Sequence, residues 1–361
     1  MADTPELTSM TRHRTVQPLV AAWIFVIVAL AAVFIWLTLS SDVPAPAPQK
    51  TDHPKTASRI IPAPEQDAQK ESPAPTSSPA PTSSHVPTGR VTLAKAPIEG
   101  LVMMGANGPL PVLGPDSLVS WKAYARPVAT GRLHDKPEIA IVITEIGLNS
   151  KATDLAIKEL PGEIDLAFSP YGRKLQQWMD RSRQYGHEGF LMIPTEPLKY
   201  PENDPGPHTL LAGAPLRDNM KKLDWLLSQV TGYVGVINEM GSKFTTSEED
   251  LLPILKDLKA RGLMMLDSRS TRFSLAAKLA RRISMPRAVN NLYLDNIISR
   301  AEIRRNLTRL ENTAHTYGAA VGVARAFPLT ITEIRKWSKE LNARGFRLVP
   351  VTAIANRQPV R

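Results

Sequence analysis

Polar groups stand directly after short apolar runs at six places in this chain. Thr144 and Glu145 follow the first run, Thr195 and Glu196 the third, Asn238 and Glu239 the fourth, and Asp267, Ser268 and Arg269 the fifth; Asp295 and Arg325 close two later ones. Carboxylates of this kind transfer protons near neutral pH when their surroundings raise their affinity for them. An all-oxygen trio such as Glu145, Glu239 and Asp267 suits a hard divalent cation. Glu196, Asn238, Ser268 and Arg325 add hydrogen-bonding groups that would converge with them in one pocket if the runs are strands of one barrel. Each residue alone also has a structural use, since Asp, Asn and Ser cap the helix that follows a strand.

The chemistry available to these groups is bounded by what the chain lacks. There is no Cys, which removes a thiol nucleophile, a disulfide scaffold and a thiolate metal site. Four His lie in the C-terminal body, at 134, 187, 208 and 315, with no His-x-x-x-His spacing among them. His187 opens an apolar run, so it belongs at the far end from Glu145. His315 lies in a helical pattern, and His208 in the loop YPENDPGPHTLL, which could cover a pocket. A zinc site of ordinary composition cannot be assembled after the runs.

The elements that must position the polar groups alternate regularly. Apolar, β-branched runs at 139–144, 164–168, 190–193, 233–237, 263–266, 292–294, 319–323 and 346–351 read as parallel strands buried on both faces. Helical patterns lie between them. Leu216, Met220, Leu223, Leu226 and Leu227 share one face, Ser247 stands as an N-cap before an acidic first turn, and Thr330 to Glu333 has the capping-box spacing. Gly186, Gly262, Gly318 and Gly345 end helices and feed strands. About eight strands and seven helices allow a (β/α) barrel or a doubly wound sheet. With no G-x-G-x-x-G or Walker A after the first strand, the barrel is favoured, and its active face is the C-terminal end of the strands.

The N-terminal third is organised differently. Residues 19–39, LVAAWIFVIVALAAVFIWLTL, carry no charge and match the hydrocarbon thickness of a bilayer, with Trp23 and Trp36 near the two ends. A single transmembrane helix is expected, with a cleaved signal peptide as the alternative. Arg12 and Arg14 precede the span, which orients residues 1–18 to the cytoplasm and the rest outward. Residues 40–96, rich in Pro, Ala, Ser and Thr, form a linker too poor in large apolar groups to fold. The domain then covers 97–361. Of the net charge of +10, nearly all belongs to this body, with 36 Lys and Arg against 27 Asp and Glu after Ala96. An exported basic body argues against nucleic acid and for anionic lipid or an acidic glycan.

The runs IAIVITEIGLN (139–149), GHEGFLMIPTEPLKYPENDPGPHTLL (186–211), GYVGVINEMGSKFT (232–245), LDSRS (266–270), GAAVGVARAFPLTI (318–331) and RGFRLVPV (344–351) resemble the divergent polysaccharide deacetylase family over roughly 97–357. The resemblance implies an irregular (β/α) barrel of the polysaccharide deacetylase type. In active relatives it implies a divalent metal held by one Asp and two His that removes acetyl groups from amino sugars. This chain departs from that pattern. Thr144-Glu145 stand where two adjacent Asp are expected, Asn238-Glu239-Met240-Gly241 where Asn-His-Met-Gly is common, Met192 where a His or Gln can occur, and Ala324-Arg325-Ala326-Phe327-Pro328 in place of a Gly-His-Pro.

The expectation is therefore a single-pass protein of the cytoplasmic (inner) membrane, its C-terminal domain periplasmic. Its degenerate metal site would leave a glycan- or protein-binding cleft built on Asn238, Asp267, Ser268 and Arg325. The alternative is a hydrolase using Glu145 and Glu239, with an unusual metal or as an acid/base pair. A purely structural envelope tether is a third reading.

Overall fold

The computed structural model describes residues 91–128 and 136–359, together with positions 27, 29 and 31. Apart from those three positions the tail 1–18, the span 19–39 and the linker to residue 90 lie outside the described residues, as does His134. Among the described residues no helix is long and apolar enough to cross a membrane. The chain divides into two compact units, Met1–Pro79 and Ala80–Arg361, and every element below belongs to the second.

The body begins with a lead-in across the N-terminal ends of the strands. Residues 91–96, assigned to the linker by their composition, are part of it: Leu93 and Ala96 are buried, and the Leu93 amide donates to Arg183 O at 2.9 Å. An antiparallel hairpin follows, β1 (Val102–Gly105) with β2 (Gly108–Pro111), and then the short helix α1 (Ser120–Ala123).

Alternation follows as the sequence predicts. The elements are β3 (Glu138–Ile146), α2 (Ser150–Glu159), β4 (Asp165–Phe168), α3 (Leu175–Gln184), β5 (Gly189–Thr195), α4 (Leu216–Leu227), β6 (Gly235–Met240), α5 (Glu248–Ala260), β7 (Met264–Asp267), α6 (Ala276–Arg282), β8 (Arg287–Val289), β9 (Leu292–Tyr293), α7 (Arg300–Tyr317), β10 (Ala319–Arg325), α8 (Pro328–Leu341) and β11 (Arg347–Leu348). Ser247 caps α5 as expected, its hydroxyl accepting from Asp250 N, and Gly186, Gly262, Gly318 and Gly345 all have positive φ. The capping box at Thr330 is not formed. Helix α8 starts earlier, at Pro328, which its fixed φ suits to a first turn, so Thr330 is interior and its hydroxyl donates to Asp295 Oδ2 at 3.1 Å.

The strands pair in the order β8-β7-β6-β5-β4-β3-β10-β9, all parallel, with β11 also parallel to the start of β3. The irregular barrel expected from the resemblance takes the form of a half-barrel: no ladder joins β8 to β9. Only Asn290 and Asn291 separate these end strands in sequence, too few for a helical crossover. The Gln358 side chain fills the seam, accepting from Val289 N at 2.7 Å and donating to Val289 O and Asn291 Oδ1.

Alternation along each strand sorts the core into two layers. Ile139, Ile141 and Ile143, with Leu191, Val236 and Met265, face the helices. Ala140 and Val142, with Met192, Ile237, Leu266 and Val323, fill the concave interior, closed below by Leu101 and Tyr124 of the lead-in. Beneath them two fully buried acids tie the C-terminus to the sheet. Asp165 accepts from Val351 N at 2.8 Å, and Glu188 from Arg126 N at 2.7 Å and from the Thr352 hydroxyl.

Candidate functional site

The two phases of the strands decide which strand-end groups meet. On β10 the interior phase runs Val321, Val323, Arg325; on β7 it runs Met264, Leu266, Ser268; on β6 it passes from Ile237 to Glu239. Thr144, Glu145, Glu239, Ser268, Asp295 and Arg325 accordingly line one cavity of about 250 Å3, floored by Met192, Ile237 and Val323.

Glu145 enters the cavity by an irregularity. It is one residue out of phase with Val142 and Thr144, but its φ is +65° and the β3–β4 register shifts between Ile143 and Ile146. Positive φ is strained for a side chain of this kind. Its amide points at Met192 Sδ, 3.2 Å away. The Met192 thioether thus stands where a polar side chain is expected from the resemblance.

The turn after β6 presents Glu239 in a related way. Met240 and Gly241 are both left-handed, at φ +53° and +89°, and a Cβ on Gly241 would meet Thr195 Oγ1 at 2.3 Å. Only Gly fits there. The Thr195 hydroxyl donates to Glu239 O at 2.9 Å and holds the turn.

Electrostatics separates the acids. Burial pushes the Glu239 carboxyl up to about 7, and the nearby charge of Glu145 adds to the rise. Glu145 is also raised, chiefly by burial, with the Arg325 guanidinium opposing and Asp295 reinforcing. Asp295 is raised by burial, but Arg325 N donates to its Oδ2 at 2.9 Å and the Thr330 hydroxyl to the same atom. Arg325 is fixed by its Nη2 bond to Asp295 O at 2.9 Å and lies over the Phe327 ring, 4.6 Å from its centroid.

Three expected site residues serve the framework instead. Asp267 is in the outer phase with Met265, and its carboxylate accepts from Arg269 N, the Ser274 hydroxyl and Ala277 N at the start of α6. Glu196 lies outside the cavity, accepting from Ala212 N and pairing with Lys243, both at 2.8 Å, which pins the loop after β5. Asn238 reaches the cavity wall, but its amide is spent joining β6 to β7, donating to Met240 O and accepting from Ser268 N. Ser268 does line the cavity, with Tyr293.

Tyr293 and Asn296 also line the cavity and were not singled out from the sequence. Tyr293 was recoverable, since it is in phase with Asp295 two residues on. Tyr171 is a further neighbour: its hydroxyl accepts from His208 N at 3.1 Å, and the Glu239 charge contributes to its raised phenol. Sequence spacing gave no sign of this, because Tyr171 stands in an irregular turn.

The residues present do not fit the metal centre that the resemblance implies. Asp267 is committed elsewhere, which breaks the Glu145, Glu239, Asp267 trio. Among the described residues no three or more His, Cys, Asp or Glu are grouped to hold a metal ion. His187 is fully buried, its ring nitrogens 2.7 and 3.0 Å from Ile164 O and Ile157 O. His208 is stacked on Trp225 with ring centroids 3.6 Å apart, and His315 is exposed on α7.

Residues 141–355 match the model of a family described as divergent polysaccharide deacetylase. The crystal structure of the uncharacterized protein ATU2773 from Agrobacterium tumefaciens is similar, with 40% sequence identity and a TM-score of 0.66, covering 68% of this chain and 99% of that one. An uncharacterized protein of Haemophilus influenzae is 26% identical over 208 residues, 56% of this chain and 72% of its own. The uncharacterized protein YibQ of Escherichia coli is 23% identical over 239 residues, 66% of this chain and 72% of YibQ.

Proposed function

We infer a function from one premise: the chain belongs to the divergent polysaccharide deacetylase family. In our reading it is a membrane-tethered, periplasmic member that has given up the metal centre and binds a glycan in the half-barrel cleft. The observation that carries this is the meeting of Glu145 and Glu239 in one cavity, which Thr144, Asp295 and Arg325 line with them; burial, reinforced by the Glu145 charge, raises the Glu239 carboxyl to about 7. A ligand rich in donors relieves that burial, as sugar hydroxyls or the ammonium of an amino sugar do. Glu145, Thr144 and the Arg325–Asp295 pair supply the remaining polar contacts, and Tyr293 an aromatic wall. The apolar run 19–39 and the linker beyond it would tether this body to the membrane.

The same value of about 7 favours one other reading, in which Glu239 protonates a glycosidic oxygen and Glu145 acts as its partner. Incubating the purified protein with acetylated and deacetylated amino-sugar oligomers, with and without added divalent metal, separates the two. Binding without bond cleavage or acetate release is expected. Metal-dependent acetate release would overturn the proposal, and chain cleavage lost in Glu239→Gln would favour the hydrolase.

A further inference from the structure

We propose that the rim of the cleft docks on an anionic lipid bilayer, so that the cavity opens toward the membrane surface. The proposal rests on where large apolar side chains are left exposed. Leu148, Leu198, Met240, Phe273, Ile297 and Ile298 are 39–72% exposed and lie at the C-terminal ends of strands or in the loops that follow them, while Met103, Met104, Leu113 and Leu118 form a separate exposed group on the lead-in. The first six therefore come from separate loops around one end of the half-barrel. Met240 lines the cavity itself, and Ile297 follows directly on Asn296, which also does.

Basic residues accompany them loop by loop. Lys199 adjoins Leu198, Arg272 adjoins Phe273 and lies over its ring at 4.6 Å, and Arg300, paired with Glu333 at 3.9 Å, stands two residues beyond Ile298. Arg173 and Lys174, both exposed, occupy the loop after β4, and Arg269 that after β7. Lys243, beside Met240, is paired with Glu196. Exposed acids at this end include Glu202 and Asp204 on the loop after β5, and Glu248 and Glu249 at the start of α5; Glu248 is paired with Arg282. Apolar tips that enter the interface, flanked by cations with long aliphatic stems, are the arrangement that an anionic bilayer favours. Insertions of one or two aliphatic groups from several loops suit a fluid surface better than a protein partner, whose contact is built round a contiguous packed centre.

The absence of Cys from the sequence makes the test direct. Phe273→Cys and Ile297→Cys, with Asn312→Cys on the exposed side of α7 as control, are labelled with an environment-sensitive fluorophore in the full chain. The chain is reconstituted with phosphatidylcholine vesicles, with and without phosphatidylglycerol. Both rim labels are expected to brighten severalfold and to be quenched by nitroxide on the lipid tails when phosphatidylglycerol is present, while the Asn312 label stays as in water. Rim labels that respond no more than the control, or equally without anionic lipid, would overturn the proposal. The readout needs no glycan, so it stands or falls separately from the proposed function.

Discussion

Glu145 and Glu239 stand on strands three places apart in the sheet, β3 and β6, yet the charge of one raises the proton affinity of the other. The curl of the half-barrel brings them to one cavity. Backbone irregularity completes the approach, with positive φ at Glu145 itself and at Met240 after Glu239. Such strain persists only where the surrounding structure holds it.

Stability should fall as pH rises from about 4.5 through about 7. Burial pushes the Glu239 carboxyl up to about 7 and also raises the Glu188 carboxyl, which is buried beside Asp165. A carboxyl whose folded value lies above its unfolded one favours the folded state while both are protonated, and that gain is lost as pH passes the folded value. Chemical denaturation should show lower stability at pH 8 than at pH 5, and Glu239→Gln should reduce the difference by ~1–3 kcal/mol. An identical slope in the variant would contradict the assignment.

Asp267→Ala should cost stability without touching the cleft. Three donors lose their acceptor at the start of α6, at about 1–2 kcal/mol by the measure of a lost helix cap. Ligand affinity should stay within about twofold, ~0.4 kcal/mol. A large loss of affinity in a folded variant would return Asp267 to the site.

Arg325→Met removes the one cation that opposes the rise of Glu145. The Glu145 carboxyl should then titrate at higher pH, observable by carboxyl-carbon NMR, with a stability loss of about 1–2 kcal/mol from the broken contact to Asp295. A Glu145 midpoint that is unchanged, or moves down, would contradict the pairing.

Gly241→Ala should be among the costlier single changes near the site. The added methyl carbon falls 2.3 Å from Thr195 Oγ1 in a left-handed turn, which costs about 2–3 kcal/mol in strain. Thermal unfolding should show it, and a neutral Gly241→Ala would mean that the turn can refold around the methyl.

Much of the fold was legible in advance because buried parallel strands announce themselves as short β-branched runs, and helix ends as Gly. Strand β8 was not legible: Arg-Ala-Val is too short and polar to stand out. The open seam was hidden too, since Gln358 fills it from the far C-terminus. At the site, taking whichever polar residue closed each strand gathered too many. Period-two alternation separates Ser268 from Asp267, and Glu239 from Asn238, within the same strand ends. Alternation alone would exclude Glu145, which is named as the polar residue after the first run and which reaches the cleft through a register shift and a positive φ.

Calorimetric titration of a deacetylated amino-sugar oligomer into the wild-type protein and its Glu145→Gln and Glu239→Gln variants tests the central claim most directly. Saturable binding to the wild type is predicted, weakened at least about tenfold, or ~1.4 kcal/mol, in each variant, with no product formed. No binding to the wild type, or equal binding to all three, would contradict it.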